Sequence, residues 1–365
     1  MKHLSLSVVA LMATLGGFVD PANACTGITL RAKDNSLVVA RTIDWSREEM
    51  NNIYVVVPRA HTVKSFLPDG TAGGLEFTSR FGFVGLGVEE PEFVIDGTNE
   101  AGLSAALFYF PTYGQYVEYD PAYNDQTLAD FQVVSWILSQ FSTIDQVKRA
   151  INNVRIVNID SRAATVHWRI VEPNGREVVL EIVDGIPHFY ENKVGVLTNA
   201  PGFEWMTTNL NNYVNLTPGT VGPQTMKTAL GDVTLAAFGT GSGFLGIPGD
   251  MTPPSRFVRA TFFQSYSLPQ ATGYDTVLQA FHILNNFDVP LGIQFPVNQA
   301  PNNMPSATQW TIATDLTNRK IYYHTMYNRV LREIDMDKID FAGVKYQSHP
   351  LDTTKSETVV SVTID

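Results

Sequence analysis

The 365-residue sequence contains one cysteine, Cys25. A lone thiol excludes an intrachain disulfide framework, even in an oxidising compartment that would permit one. Positive charge is also scarce: 25 Lys and Arg stand against 36 Asp and Glu, for a net charge of −11. With no long Lys/Arg run, the chain is a poor partner for nucleic acid or an anionic membrane surface. The seven histidines show no metal-ligand spacing. Asp335, Asp337 and Asp340 lack the remaining ligands and the glycine of a calcium loop. Gly241-Ser242-Gly243-Phe244-Leu245-Gly246 has the spacing of a dinucleotide loop. No βαβ unit surrounds it, however, and Pro248 stands where the helix should begin, so it reads as a structural turn.

What is present begins with an address. Lys2 and His3 precede an apolar stretch from Leu4 to Val19, and Asp20-Pro21-Ala22-Asn23-Ala24 places small residues where a signal peptidase reads. The stretch is short for a membrane span, and nothing downstream resembles a stop-transfer helix. Residues 1–24 therefore read as a cleaved secretory signal, and the exported chain starts at Cys25. The competing reading makes Cys25 the acylated residue of a lipid-anchored periplasmic binding protein. Lipoprotein processing favours a large aliphatic residue three positions before the cysteine, and Ala22 stands there. The two readings exclude each other chemically, because acylation blocks the amine that plain cleavage leaves free.

The remainder, 25–365, carries no repeat or low-complexity linker and reads as a single domain. The apolar share of the full sequence, 44 % of residues, is ample for a sizeable core. Thr26 to Ala32 and Ser36 to Thr42 predict a hairpin turning at Lys33-Asp34-Asn35. Ile53 to Val57 predicts a third strand, and Phe93 to Asp96 with Leu103 to Phe110 a pair around Gly97-Thr98-Asn99. Leu128, Phe131, Val134, Ile137, Leu138 and Phe141 share a helical face, and Thr143 with Gln146 forms a capping box for the next helix. Strands at 167–171 and 178–183 flank Asn174-Gly175. Helices are predicted over 255–267 and 274–287, and a last pair over 311–315 and 320–325. Blocks of strands alternating with blocks of helices predict an α+β layered fold.

A thiol at the first position of a chain has a base beside it, the α-amine, so no histidine is required. The thiolate needs positive charge nearby. Antiparallel pairing of the predicted hairpin returns Arg41 and Asp44 to the neighbourhood of Cys25, where Arg41 favours the thiolate and Asp44 holds the ammonium. A surface ion pair at a strand end remains the alternative for those two residues. A histidine-assisted cysteine protease is the other alternative, and no histidine lies near a motif that suggests it.

Cys25-Thr26-Gly27 and Arg41-Thr42-Ile43-Asp44-Trp45-Ser46 resemble the start of the choloylglycine hydrolase family, the penicillin V acylases and conjugated bile acid hydrolases. The resemblance continues through Asn99-Glu100-Ala101-Gly102-Leu103, Tyr109-Phe110-Pro111 and Leu197-Thr198-Asn199-Ala200-Pro201. It extends to Gly246-Ile247-Pro248-Gly249-Asp250 and Pro254-Ser255-Arg256-Phe257. It implies an N-terminal-nucleophile hydrolase with a four-layer αββα sandwich, a linear amide as substrate and no cofactor or metal. Cys25 matches the nucleophile, Arg41 and Asp44 the catalytic arginine and aspartate, Asn199 the oxyanion-hole asparagine and Arg256 the second active-site arginine. Tyr109 stands where bile-salt enzymes usually carry asparagine and penicillin V acylases tyrosine. Trp45 and Phe108, with Tyr109, are the candidate substrate-contacting residues, and core packing is the alternative for at least one of Phe108 and Phe110. The exported branch with tryptophan at position 45 implies a Gram-negative periplasmic enzyme, a homotetramer, acting on penicillin V or long-chain acyl homoserine lactones, with bile salts as the alternative.

Overall fold

A computed structural model describes residues 25–45, 50–159, 164–294 and 307–364. The signal-peptide expectation over 1–24 and the motif residue Ser46 lie outside the described residues. Along the chain, β1 (Gly27–Arg31), β2 (Leu37–Trp45) and β3 (Asn52–Val57) precede a separate hairpin, β4 (Thr62–Phe66) and β5 (Ala72–Thr78). Next come β6 (Phe83–Val88), β7 (Val94–Asn99) and β8 (Ser104–Tyr109). Two short strands, β9 (Thr127–Ala129) and β10 (Arg155–Val157), bracket α1 (Val133–Gln140) and α2 (Ile144–Ala150). A meander of β11 (Val166–Val171), β12 (Glu177–Val183) and β13 (Ile186–Glu191) leads to β14 (Val196–Leu197) and α3 (Phe203–Asn209). The hairpin β15 (Gln224–Thr228) and β16 (Gly231–Leu235) precedes α4 (Pro253–Tyr266) and α5 (Gly273–Leu284). The chain closes with β17 (Ala307–Asp315), β18 (Lys320–Thr325), β19 (Asn328–Asp335) and β20 (Gln347–Pro350).

Two antiparallel sheets stack face to face. One runs β14-β1-β2-β17-β18-β19 and the other β13-β12-β11-β8-β7-β6-β3-β20. Helices α4 and α5 cover the outer face of the first sheet, on β1, β2 and β17, while α1 covers β7 and β8 of the second. The result is the αββα sandwich. Because β2 is covered by helices on one face and by a sheet on the other, all but one of its nine residues are buried. That explains why it reads as a continuous run rather than an alternation.

Three local readings differ from expectation. Gly97 to Asn99 continue β7, and the turn follows at Glu100 to Gly102. A Cβ on Gly97 would fall 2.8 Å from Leu138 Cδ1, so the missing side chain lets α1 settle on the strand. Leu128 belongs to β9, which pairs in parallel with β10, and Asp130–Gln132 is a 3-10 turn before α1 begins. Its apolar spacing continues the helical face, but its backbone finds a strand partner. β6 escapes a sequence reading because Gly85 and Gly87 interrupt its apolar residues. The N-cap half of the capping box is present, Thr143 Oγ1 accepting the Gln146 N–H at 3.3 Å, while Gln146 Oε1 accepts the N–H of Ser142 at 2.8 Å, one residue before the cap.

Candidate active site

The site forms where the N-terminal hairpin opens. Pairing sets Gly27 of β1 opposite Arg41 on one side and opposite Leu197 of β14 on the other. Continuing outward, Cys25 meets Asn199, and the Cys25 N–H donates to Asn199 Oδ1 at 3.0 Å. Gly27 is dictated by packing, since a Cβ there would lie 2.8 Å from the Phe108 ring and 2.9 Å from Arg169 Nη1. The Cys-Thr-Gly motif thus needs its glycine to let the second sheet close beneath the nucleophile strand.

Arg256 ties the cluster together. It projects from the first turns of α4, whose entry is held by Asp250: Thr252 N–H donates to Asp250 Oδ1 at 2.9 Å and Ser255 Oγ to Oδ2 at 2.7 Å. These hydrogen bonds, with Thr252 Oγ1 first among them, hold the exposed Asp250 carboxyl down at about 2. Arg256 is fully buried. Its Nη1 donates to the Cys25 carbonyl at 2.5 Å and to Thr26 Oγ1 at 2.8 Å, its Nη2 to Asn199 Oδ1 at 2.6 Å, and its Nε to the Met251 carbonyl at 3.0 Å. Burial lowers Arg256 to about 10, with the negative charges of Asp44 and Cys25 opposing, so it stays cationic near neutrality. Asn199 uses its amide nitrogen toward the Tyr109 carbonyl at 2.8 Å, which leaves one amide hydrogen for another acceptor.

Arg41, also fully buried, lies 4.0 Å over the Phe108 ring, and its Nη1 donates to the Leu107 carbonyl at 2.5 Å. Its Nη2 has no hydrogen-bond partner among the described residues. Two charged residues with no motif signal stand behind it, Asp96 and Arg169. Burial raises Asp96 to about 6, against the pull of Arg41 and then Arg169. Asp44 is buried too, and burial raises it to about 7, opposed by the Thr308 hydrogen bond and by the charge of Arg256.

The three substrate candidates are placed differently. Phe108 is buried between Arg41 and His167, in the inter-sheet core. Phe110 is buried as well, stacked at 4.4 Å on the His167 ring. Tyr109 is half-buried at the end of β8, and Trp45 is half-buried at the end of β2, opposite Ala307. His167 comes nearest to the motifs through the Thr198 carbonyl, which its Nε2 approaches at 3.3 Å, while Nδ1 faces Glu181 at 3.1 Å. A carbonyl accepts only, so Nε2 carries a hydrogen and is not poised as a base for Cys25.

Comparisons with known proteins agree with this geometry. The profile of the linear amide C-N hydrolases, choloylglycine hydrolase family, matches residues 25–357. A bile salt hydrolase/transferase from Clostridium perfringens is 31% identical over 339 residues, covering 91% of this chain and 98% of that protein. A penicillin V acylase from Pectobacterium atrosepticum is 24% identical over 367 residues, covering 93% and 86%. The crystal structure of a mutant conjugated bile acid hydrolase from Clostridium perfringens superimposes with a TM-score of 0.78 at 29% identity, covering 93% of this chain and all of that one. With Cys25 at the opening of an αββα sandwich, its backbone N–H and carbonyl held by an asparagine and an arginine at matching motifs, the chain belongs to the choloylglycine hydrolase family of linear amide C–N hydrolases.

Proposed function

We propose that the protein hydrolyses the amide bond of conjugated bile salts through an acyl thioester on Cys25. The observation that carries the substrate class is the 31% identity to a bile salt hydrolase/transferase across 98% of that protein's length. The lean toward penicillin V drawn from Tyr109 gives way to it as the first reading. In the mechanism, cleavage after Ala24 frees the Cys25 amine. The thiol attacks the amide carbon, the amine takes its proton, and the remaining Asn199 amide hydrogen meets the oxyanion. Arg256, donating to the Cys25 carbonyl and to Asn199 Oδ1, holds the nucleophile and the oxyanion donor in register. The ammonium then protonates the departing amine, the C–N bond breaks, and water activated by the same amine hydrolyses the thioester.

A second reading, hydrolysis of the side-chain amide of penicillin V or of a long-chain acyl homoserine lactone, is favoured by Tyr109 and by the penicillin V acylase relative. One preparation assayed side by side on glycocholate, penicillin V and an acyl homoserine lactone tests the order. Glycocholate should be the best substrate, and a higher kcat/KM on penicillin V would reverse the two readings. Export to the periplasm and the homotetramer belong to the same proposal. The hairpin β15–β16 holds Met226, Val233 and Leu235 exposed, which supports self-association. Sedimentation equilibrium should return four times the chain mass, and a monomer mass would remove that part. Mass spectrometry of the mature N-terminus should find a free, unacylated Cys25.

A further inference from the structure

The carboxyl of Asp44 is gripped by two hydroxyls whose polarity the backbone fixes. Thr308 faces Asp44 across the β2–β17 pairing, at the point where the register shifts between Thr308 and Trp310. Its Oγ1 accepts the Val289 N–H at 2.9 Å and donates to Asp44 Oδ1 at 2.5 Å. The Thr308 N–H in turn closes on the Val289 carbonyl at 3.2 Å, which pins the residue to the segment after α5. Thr42 repeats the arrangement on the other oxygen. Its Oγ1 accepts the Thr26 N–H at 3.2 Å and donates to Asp44 Oδ2 at 3.3 Å.

A threonine hydroxyl has one hydrogen. With a lone pair of each hydroxyl engaged by a backbone N–H, the hydrogen of each is left for Asp44. Both carboxylate oxygens therefore receive donors, which favours the ionised form and fixes the plane of the group. Among the described residues, the charged groups that act on Asp44 are Arg256 from α4 and Asp288 from the segment after α5, and they act in opposite directions. Asp288 is itself paired with Arg329 at 2.7 Å. Among the described residues, the hydrogen-bond donors to this carboxyl are Thr308 and Thr42.

Resting on the proposed thioester mechanism and on the sequence expectation that Asp44 holds the Cys25 ammonium in it, we infer that Thr308, assisted by Thr42, is a positioning residue that keeps Asp44 an oriented carboxylate for the reaction. The sequence gives no hint of it, since the polar Thr308-Gln309 pair hides the first residues of β17. Neither threonine touches substrate in this scheme; both act through Asp44.

Thr308→Val keeps the shape and removes the donor. The pH dependence of kcat/KM is measured on whichever amide the wild type turns over. The wild-type acid limb, set by Asp44 at about 7, should move upward by about one pH unit in Thr308→Val. Activity below the limb should then fall about tenfold, while activity well above it stays within about threefold of wild type. Thr308→Ser should restore the limb. A loss that is equal at every pH, or a Ser variant that fails to restore the limb, overturns the inference. If Thr308→Val does not fold, Thr42→Val carries the same test and should show the smaller shift that its longer hydrogen bond implies. Infrared titration of the Asp44 carboxylate, isolated by subtracting an Asp44→Asn spectrum, reads the shift without turnover. A band that titrates at the same pH with and without the Thr308 hydroxyl overturns the inference. A wild type that cleaves none of the amides instead removes the proposed substrate and leaves the infrared result to decide.

Discussion

The two faces of β2 bury charge in different ways. On the face toward the second sheet, Arg41 rests on the Phe108 ring and on backbone carbonyls, with Nη2 unpartnered among the described residues. On the opposite face, Thr42 and Asp44 sit in a network in which hydrogen bonds reach both oxygens of the carboxyl. The neighbouring Arg256 has partners for all three of its nitrogens. A saturated group is framework. A buried donor without a partner is costly unless something arriving from outside accepts from it. The difference marks Arg256 as the residue that ties Cys25 to Asn199, and Arg41 as the arginine with a donor left unused among the described residues.

The largest effect is the one that sets the zero for both faces. Cys25→Ser should leave the fold intact and lower turnover on the order of 10^4-fold, because an alcohol beside an amine is far less ionised than a thiol. Near wild-type rates in that variant would remove the thiol as the attacking group, and with it the reason for comparing the faces.

The comparison itself breaks or survives on the two arginines. Arg256→Leu leaves Asn199 Oδ1, Thr26 Oγ1 and the Cys25 carbonyl each short of a buried donor. It should cost about 3 kcal/mol of stability as well as activity. Arg41→Leu removes a cation already unpaired at one nitrogen and keeps an apolar body on Phe108. It should lose about 100-fold or more in kcat/KM with a stability loss of about 1 kcal/mol. Denaturant melts and kinetics of both variants, run together, check this. Equal losses of stability would show that the faces do not differ.

Asp44 sharpens the comparison through pH. Its folded value near 7 lies above the ordinary 3.8, chiefly because it is buried. A carboxyl raised on folding contributes stability that is fully present below about 4 and is lost as pH rises through about 7. The shift of about three units bounds that loss at ~4 kcal/mol. In the proposed role of Asp44 as the partner of the Cys25 ammonium, turnover runs the other way, because that role calls for the ionised form. Asp44→Asn should therefore raise the melting temperature at pH 8 while lowering kcat about 100-fold, a direct exchange of stability for activity. Thermal melts of both proteins at pH 4, pH 5 and pH 8 measure it, and the gap between them should widen as pH rises from about 4 and level off above about 7.

How much of this was legible depended on whether a residue acts through its own type or through its neighbours. Cys25, Arg41 and Asp44 could be placed because a hairpin turn and a period of two bring strand ends together, and the structure sets Gly27 opposite Arg41 as that reading requires. Asn199 and Arg256 came only with the motif resemblance, because 174 residues separate Cys25 from Asn199 and no local pattern spans that distance. Thr308, Asp96 and Arg169 left no signal. Their meaning lies in being buried beside a charge, which depends on the stacking of two sheets. The same holds for β6 and the short pair β9–β10, where glycines or brevity hide a strand that its partners stabilise.

Tyr109 is the smallest test and the one that separates backbone from side chain. It is the Tyr109 carbonyl, not its phenol, that receives the Asn199 amide at 2.8 Å, so a substitution at 109 leaves that support standing. The side chain is half-buried at the end of β8. Tyr109→Asn should consequently change the ratio of glycocholate to penicillin V hydrolysis by about tenfold, the scale of one altered pocket contact, in favour of glycocholate. The better of the two rates should change less than the ratio. Asn199→Ala, measured beside it, should lower kcat and kcat/KM together by about 2.7–4 kcal/mol on both substrates, with the ratio unmoved. A Tyr109→Asn enzyme with an unchanged ratio, or one that loses both activities as Asn199→Ala does, would show that the side chain at 109 serves the reaction itself rather than the choice of acyl group.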